Sequence, residues 1–322
     1  MALVRRAVID VGTNSIKLLV ADVAGHEVNP VWEESKQTRL GRGFYESHRL
    51  QASAISATAE AVAKFAALAR EQAAHSVRVI ATSAAREAVN ATDLTGAIAA
   101  ASGLETEVIS GEQEARWVFR GVTTDQRLAK EPLLLLDVGG GSAEFILGRG
   151  EQTHFQQSFP VGTVRLLEKL PHSDPPRAEE LAACRTWLKE FMEEQVRPEL
   201  EPAIKKEAGR TRSASPPARA VQLVGTGGTA SILGCMEAEL AKFDRERLEE
   251  TRLSRERLQW HVRRLWSLAL EERTRIVGLP RPRADVILTG AVIYEAIMEQ
   301  FGFDQLRIST RGLRFAAVMD LP

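Results

Sequence analysis

The sequence predicts an α/β protein built from two related halves, and three observations carry that prediction. A glycine-turn hairpin occurs twice, strand-like and helix-like segments alternate along the chain, and 322 residues is about what two domains need.

The first hairpin is RAVIDVGTNSIKLLVADV, in which the apolar run 7–11 meets the turn GTNS and a second β-rich run, 16–23. Glycine and asparagine in the turn suit a hairpin. The second is LLLLDVGGGSAEFILG, residues 133–148. Aligned on Asp10 and Asp137, both read Asp-Val-Gly-x-x-Ser, which points to an internal duplication. A third glycine turn, VGTGGTAS at 224–231, follows the strand-like VQLV and leads into a helix. Residues 53–74 are alanine-rich with few breakers, so a helix is expected there. A buried strand at 77–82, a helical stretch from about Arg86, a short strand at 107–109 and a helix at 111–122 follow. The stretch 177–207 reads as mostly helical, and 208–220, rich in Ser, Pro and Arg, as a loop. Helices are expected at 255–270, 284–300 and 312–319. The domain boundary should fall between Thr123 and Pro132, giving domains 1–125 and 126–322.

Composition narrows the class without naming a function. Apolar residues make up 44% and charged residues 26%, which excludes collagen-like and wholly disordered chains. Cys184 and Cys235 are too few for a disulfide scaffold, so a reducing cytoplasm is expected. No apolar run approaches the roughly 18–20 residues of a membrane span, and the N-terminus reads without a signal peptide. The 42 Lys+Arg against 43 Asp+Glu leave a net charge of −1. A general nucleic-acid binder is usually strongly basic, so any polyanion site here must be a local concentration of positive charge.

Glycine turns after strands can present backbone N–H groups to phosphate oxygens without side-chain bulk. A lone turn of this kind is more often only a turn; a duplicated pair plus a third shifts the balance. Neither a P-loop nor a dinucleotide fingerprint is present. Asp137 ends a strand and Glu144 lies on the return strand, so the turn should bring both carboxylates together, a donor set that suits Mg²⁺ beside a phosphate. At the matching positions of the first hairpin stand Asp10 and Lys17, a cation where the second has a carboxylate. In GEQEAR, Glu112 and Glu114 start a helix, where carboxylates commonly serve only the dipole. In ATSAAREA, Arg86 is expected at a helix start next to Thr82 and Ser83; a cation there needs an anionic partner, either a salt bridge or a phosphate.

DVGTNS, ATSAAREA, SGEQEAR, DVGGGSAE, FPVGTVRL, GTGGTAS, ADVILTGA and STRGLR occur in that order. Over essentially the whole chain this set resembles the exopolyphosphatase/guanosine pentaphosphate phosphohydrolase family. The resemblance implies an actin-like (ribonuclease H-like) duplicated fold, two related domains flanking a cleft. It implies Mg²⁺-dependent hydrolysis of the terminal phosphate of inorganic polyphosphate or of guanosine pentaphosphate. Carried over residue by residue, it makes Glu114 the general base for the attacking water, and Asp137 and Glu144 the metal- and water-positioning acids. Arg86 becomes a phosphate contact. Asp10, Gly12, Thr13, Asn14 and Ser15 match one phosphate-binding turn, Gly139, Gly140, Gly141 and Ser142 the other. Gly225, Gly227, Gly228 and Thr229 belong to the third turn, which the residues themselves suggest for phosphate, as they do Lys17. The resemblance is to the short, two-domain form: the chain ends at Pro322, and none of the six histidines is followed directly by Asp. It permits a homodimer and implies neither a specific nucleic acid nor a membrane as partner. Arg39, Arg42 and Arg165 are candidates for a basic track along a polyphosphate chain, with surface salt bridging as the plain alternative; the arginine-rich stretch 209–219 reads as a solvated linker. A non-catalytic polyphosphate or alarmone sensor and an actin-like sugar kinase are the rival readings. The acidic trio Glu114, Asp137 and Glu144 disfavours the first, and the GEQEAR segment within the ordered motif set disfavours the second.

Overall fold

A computed structural model describes residues 2–212 and 221–321. β1 (Val4–Val11) and β2 (Ser15–Ala24) form the first hairpin, and β3 (Glu27–Gln37) extends it on the far side of β2. α1 (Ala52–Glu71) buries Ile55, Ala59, Val62, Phe65, Ala66 and Ala69, which recur at helical spacing, in the core. β4 (Ser76–Ala81) runs parallel to β1; α2 (Ser83–Glu87), α3 (Ala91–Ser102), β5 (Thr106–Val108) and α4 (Gly111–Val122) follow. The sheet order is β3-β2-β1-β4-β5.

The second half begins with α5 (Gln126–Ala129) and the strands β6 (Leu133–Val138), β7 (Ala143–Arg149) and β8 (Gln152–Phe159). Helices α6 (Thr163–Lys169), α7 (Ala178–Phe191) and α8 (Arg197–Arg212) come next, with a π-helical turn at Met192–Val196 joining the last two. Then come β9 (Gln222–Thr226), α9 (Gly227–Glu237), α10 (Arg245–Glu250), β10 (Arg252–Ser254), α11 (Arg255–Ser267) and α12 (Leu270–Arg273). α13 (Ile287–Phe301) is buried on every side from Ile287 to Met298, as an apolar helix without a polar stripe must be, and β11 (Gln305–Ile308) completes the sheet. Its order is β10-β11-β9-β6-β7-β8.

Read outward from the hairpins, β3-β2-β1-β4-β5 and β8-β7-β6-β9-β11 are one topology used twice, with β10 an extra edge strand. This is the duplication that the hairpins announce, in the actin-like arrangement that the family resemblance implies. The chain clusters into one unit that runs to Thr124 and resumes at Arg311, and a second, Asp125–Thr310. The expected second domain, 126–322, therefore differs at its end: α14 (Leu313–Met319) packs on α4 in the first unit. Gly121 of α4 lies against the Gly312 carbonyl, and the Trp117 indole N–H donates to Asp320 at 2.8 Å.

Further points of the sequence reading are completed or corrected by the structure. The edge strands β3 and β8 are absent from the sequence reading because their exposed, polar residues hide any alternation. α8 extends to Arg212, so 208–212 are helical rather than loop, while 213–220 lie outside the described residues. α1 is long and apolar enough to cross a membrane by length and composition alone, yet its apolar face is core.

Candidate active site

In the first unit β1, β4 and β5 are parallel neighbours, so their carboxyl ends emerge along one edge of the sheet, where open α/β sheets place ligands. β1 runs into the 12–15 turn, β4 into Thr82 and α2, and β5 through Ile109 into α4. Asp10 and Lys17 are direct cross-strand partners, so their side chains share a face. Burial pushes the Asp10 carboxyl above its usual range, and the charges of Lys17 and Arg314 pull it partly back. Arg314, from α14, donates to the Leu18 carbonyl at 2.9 Å and pairs with Glu33 at 3.3 Å. The turn closes with Gly12 N donating to Ser15 O at 3.1 Å, and Thr13, Asn14 and Ser15 are buried.

The two helix-start glutamates separate cleanly. Glu112 is exposed and pairs only loosely with Arg116, at 3.8 Å. Glu114 is buried, on the face of α4 that packs inward, and its Oε2 accepts from Arg86 Nη1 at 2.9 Å. The same nitrogen donates to the Ile109 carbonyl at 3.0 Å. Arg86 lies in the last turn of the five-residue α2, not at a helix start as the sequence suggested, so its charge favours the dipole; its partner is Glu114. Ser110 caps α4 by accepting from Gln113 N at 3.1 Å.

The second unit repeats the plan with β6, β9 and β11. Asp137 and Glu144 are direct cross-strand partners, and Asp137 is also level with Thr226 of β9. Glu144 is buried, and its Oε1 accepts from the hydroxyls of Ser142 and Ser158, each at 2.8 Å. Both serines donate, so this carboxylate is set up as an acceptor, the form a cation needs. The 139–142 turn closes as the first does, Gly139 N donating to Ser142 O at 2.9 Å. Asp137 Oδ1 overlies Gly227, where an added Cβ would stand 2.0 Å away and the backbone φ is +78°. Only glycine allows that approach. Gly227 and Gly228 open α9, and Thr229 donates from Oγ1 to the Val138 carbonyl at 2.8 Å, joining the third turn to β6. Gly225 does not join them: it lies inside β9, against Cε1 and the hydroxyl of Tyr294. Burial, with Asp137 adding to it, pushes the Tyr294 phenol well up, which keeps it a donor to the Leu136 carbonyl at 3.1 Å.

The Ppx/GppA phosphatase family model matches residues 19–321. The chain is 35% identical to exopolyphosphatase 2 of Mycobacterium tuberculosis, over 97% of each chain. It belongs to the Ppx/GppA phosphatase family. Among solved structures it resembles an exopolyphosphatase from Cytophaga hutchinsonii (27% identity, 97% of this chain and 96% of that one, TM-score 0.83). It also resembles the Aquifex aeolicus Ppx/GppA enzyme (27% identity, 99% and 100%, TM-score 0.76).

As a Ppx/GppA protein the chain is a hydrolase, and the donor set in its second unit can be tested against Mg²⁺. Among the described residues no three His, Cys, Asp or Glu gather into a metal cage. Two carboxylates aligned across a ladder beside a glycine turn nevertheless fit a cation that binds through one or two carboxylates plus phosphate oxygens. Ser158, Arg314 and Tyr294 escaped sequence reasoning, and only the position of Arg314 within STRGLR gave any signal. Of the candidate basic track, Arg42 is exposed and Arg39 half-buried, whereas Arg165 donates through Nε to the Gly141 carbonyl at 2.7 Å.

Proposed function

We propose that this protein is an exopolyphosphatase that removes the terminal phosphate of inorganic polyphosphate and releases orthophosphate. The observation that carries this reading is the unequal pairing on two equivalent hairpins, Asp10 with Lys17 and Asp137 with Glu144. One hairpin offers a cation to phosphate and the other a carboxylate pair. The resemblance to exopolyphosphatase 2 favours polyphosphate as the substrate.

In the reaction, the amides of the 139–142 turn and Lys17 hold phosphate oxygens, and water attacks the terminal phosphorus. The P–O bond to the next phosphate breaks, the shortened chain leaves with that oxygen, and the water proton passes to Glu114. Arg86, held to Glu114, keeps the carboxylate oriented and adds positive charge. Asp137 and Glu144 would hold Mg²⁺, which when bound neutralises charge on phosphate oxygens. Cys184, whose thiol burial pushes up to about 12, and Cys235 are unpaired, which suits a reducing cytoplasm.

Phosphate release from long-chain polyphosphate, with and without Mg²⁺ and with guanosine pentaphosphate in parallel, tests the reading. Faster turnover of the nucleotide would replace polyphosphate as the substrate. Glu114→Gln keeps an acceptor for Arg86 but cannot take the proton, so turnover should fall at least about 100-fold with polyphosphate binding retained. Near-normal turnover in that variant would remove Glu114 from the role.

A further inference from the structure

A turn that binds phosphate through its amides must dispose of its carbonyls, because a carbonyl oxygen pointing at an anion repels it. In the 139–142 turn all three glycine carbonyls are occupied from one side. Thr163 N donates to Gly139 O at 2.9 Å, and Val164 N and Arg165 N donate to Gly140 O at 2.8 and 3.1 Å. Arg165 Nε donates to Gly141 O at 2.7 Å. The amides of Gly140, Gly141 and Ser142 meet no backbone carbonyl among the described residues. The donors are the opening residues of α6, whose first N–H groups have no partner within their own helix. Gly162 permits the contact: a Cβ there would stand 2.6 Å from the Gly140 carbonyl carbon and oxygen. α6 is itself fastened to α13, where the Thr289 hydroxyl lies 2.8 Å from the Thr163 carbonyl.

We propose that Arg165 is a positioning residue, whose guanidinium holds the Gly141 peptide so that the turn amides face the substrate phosphate. Among the described residues it is the one side chain that donates to these glycine carbonyls, the other donors being backbone. This rests on the proposed hydrolysis at this turn, and it departs from a basic track: a track acts by charge on the length of a polyanion, a lock acts on the phosphate in the turn.

Lysine separates the two roles. It keeps the charge, but a methylene stands where Nε–H donates, and its ammonium is a point charge without the planar fork. Arg165→Met and Arg165→Lys should both lower kcat/KM about 10- to 100-fold. The factor should be the same for tripolyphosphate and long-chain polyphosphate, with KM and the inhibition constant of orthophosphate rising together. The salt dependence of long-chain binding should stay as in the wild type. A loss confined to long chains, restored by lysine and accompanied by a shallower salt slope, would overturn the proposal in favour of a track. Unchanged KM and orthophosphate inhibition, with only a lower melting temperature, would reduce Arg165 to a packing role and overturn it too. If the wild type hydrolyses no polyphosphate, the functional reading fails on its own. Calorimetric binding of tripolyphosphate to the three proteins then decides the lock: weaker binding by both variants supports it, and equal binding removes it.

Discussion

The 12–15 and 139–142 turns hold the same shape with different parts. In the first unit the Thr13 carbonyl is taken by Gly41 N at 2.7 Å and the Asn14 carbonyl by Thr38 N and Arg39 N at 3.2 and 3.0 Å, all backbone donors. In the second, the donors are the first N–H groups of a helix and one guanidinium. Both locks come directly after the third strand of their sheet, β3 or β8, so duplication preserved the place of the lock and not its composition. A backbone lock tolerates most substitutions, whereas a lock that includes a side chain can be opened by one. The partner opposite the aspartate has changed as well, from Lys17 to Glu144, and with it the charge each turn presents.

Gly162→Ala is the strongest way to break the second lock. The new Cβ would press on the Gly140 carbonyl and on the Gly141 carbonyl carbon, 2.6 and 2.7 Å away. Backbone atoms cannot swing aside as a side-chain end can, so α6 must back off and release the turn. We expect kcat/KM to fall by about 100-fold or more, with about 1–3 kcal/mol of stability lost. Steady-state kinetics and denaturant unfolding check this, and wild-type kinetics would mean the turn does not depend on α6.

An intermediate effect should follow from the charge difference. Asp10 stands above its usual range in the folded protein, so ionising it there costs stability. That cost is absent below the ordinary carboxylate range, where folded and unfolded chains are both protonated, and sets in as pH rises past it. Lys17 offsets part of the cost. Lys17→Met should therefore match the wild type near about pH 3 and be less stable by on the order of 1 kcal/mol at neutral pH, as denaturant unfolding at the two pH values would show. Glu144→Gln should instead raise the Mg²⁺ concentration needed for half-maximal turnover. If both variants change the Mg²⁺ requirement alike, the two hairpins are not divided between cation and metal.

The hairpins, α4 and the third turn are written in short-range signals: glycine after an apolar strand, and a serine cap followed by carboxylates. The locks are not, because a backbone N–H from Gly41 or Val164 carries no side-chain signature. The return of α14 to the first unit rests on contacts such as Gly121 against Gly312, far apart in sequence and legible only as two ordinary glycines. Arg86 was recognisable as a charge needing a partner, but α2 is so short that its ends could not be told apart. Arg165 was visible as a cation, and its role was hidden because the acceptor is a main-chain oxygen.

The smallest effect is expected at Gln37, and it sharpens the comparison most. Gln37 Nε2 donates to Asn14 Oδ1 at 2.9 Å, so a side chain does touch the first turn, but at the Asn14 amide and not at a turn carbonyl. Two buried ends of this amide pair, Asn14 Nδ2 and Gln37 Oε1, have no hydrogen-bond partner. Gln37→Ala loses one neutral hydrogen bond, worth about 1 kcal/mol net, and at the same time removes one of the orphaned atoms. The three backbone donors from Thr38, Arg39 and Gly41 stay in place. Stability should fall by no more than about 1 kcal/mol and kcat/KM by only a few-fold, well short of the loss at Arg165. A loss as large as that of Arg165→Met would show that the first turn, too, is held by a side chain, and the contrast between the two locks would collapse.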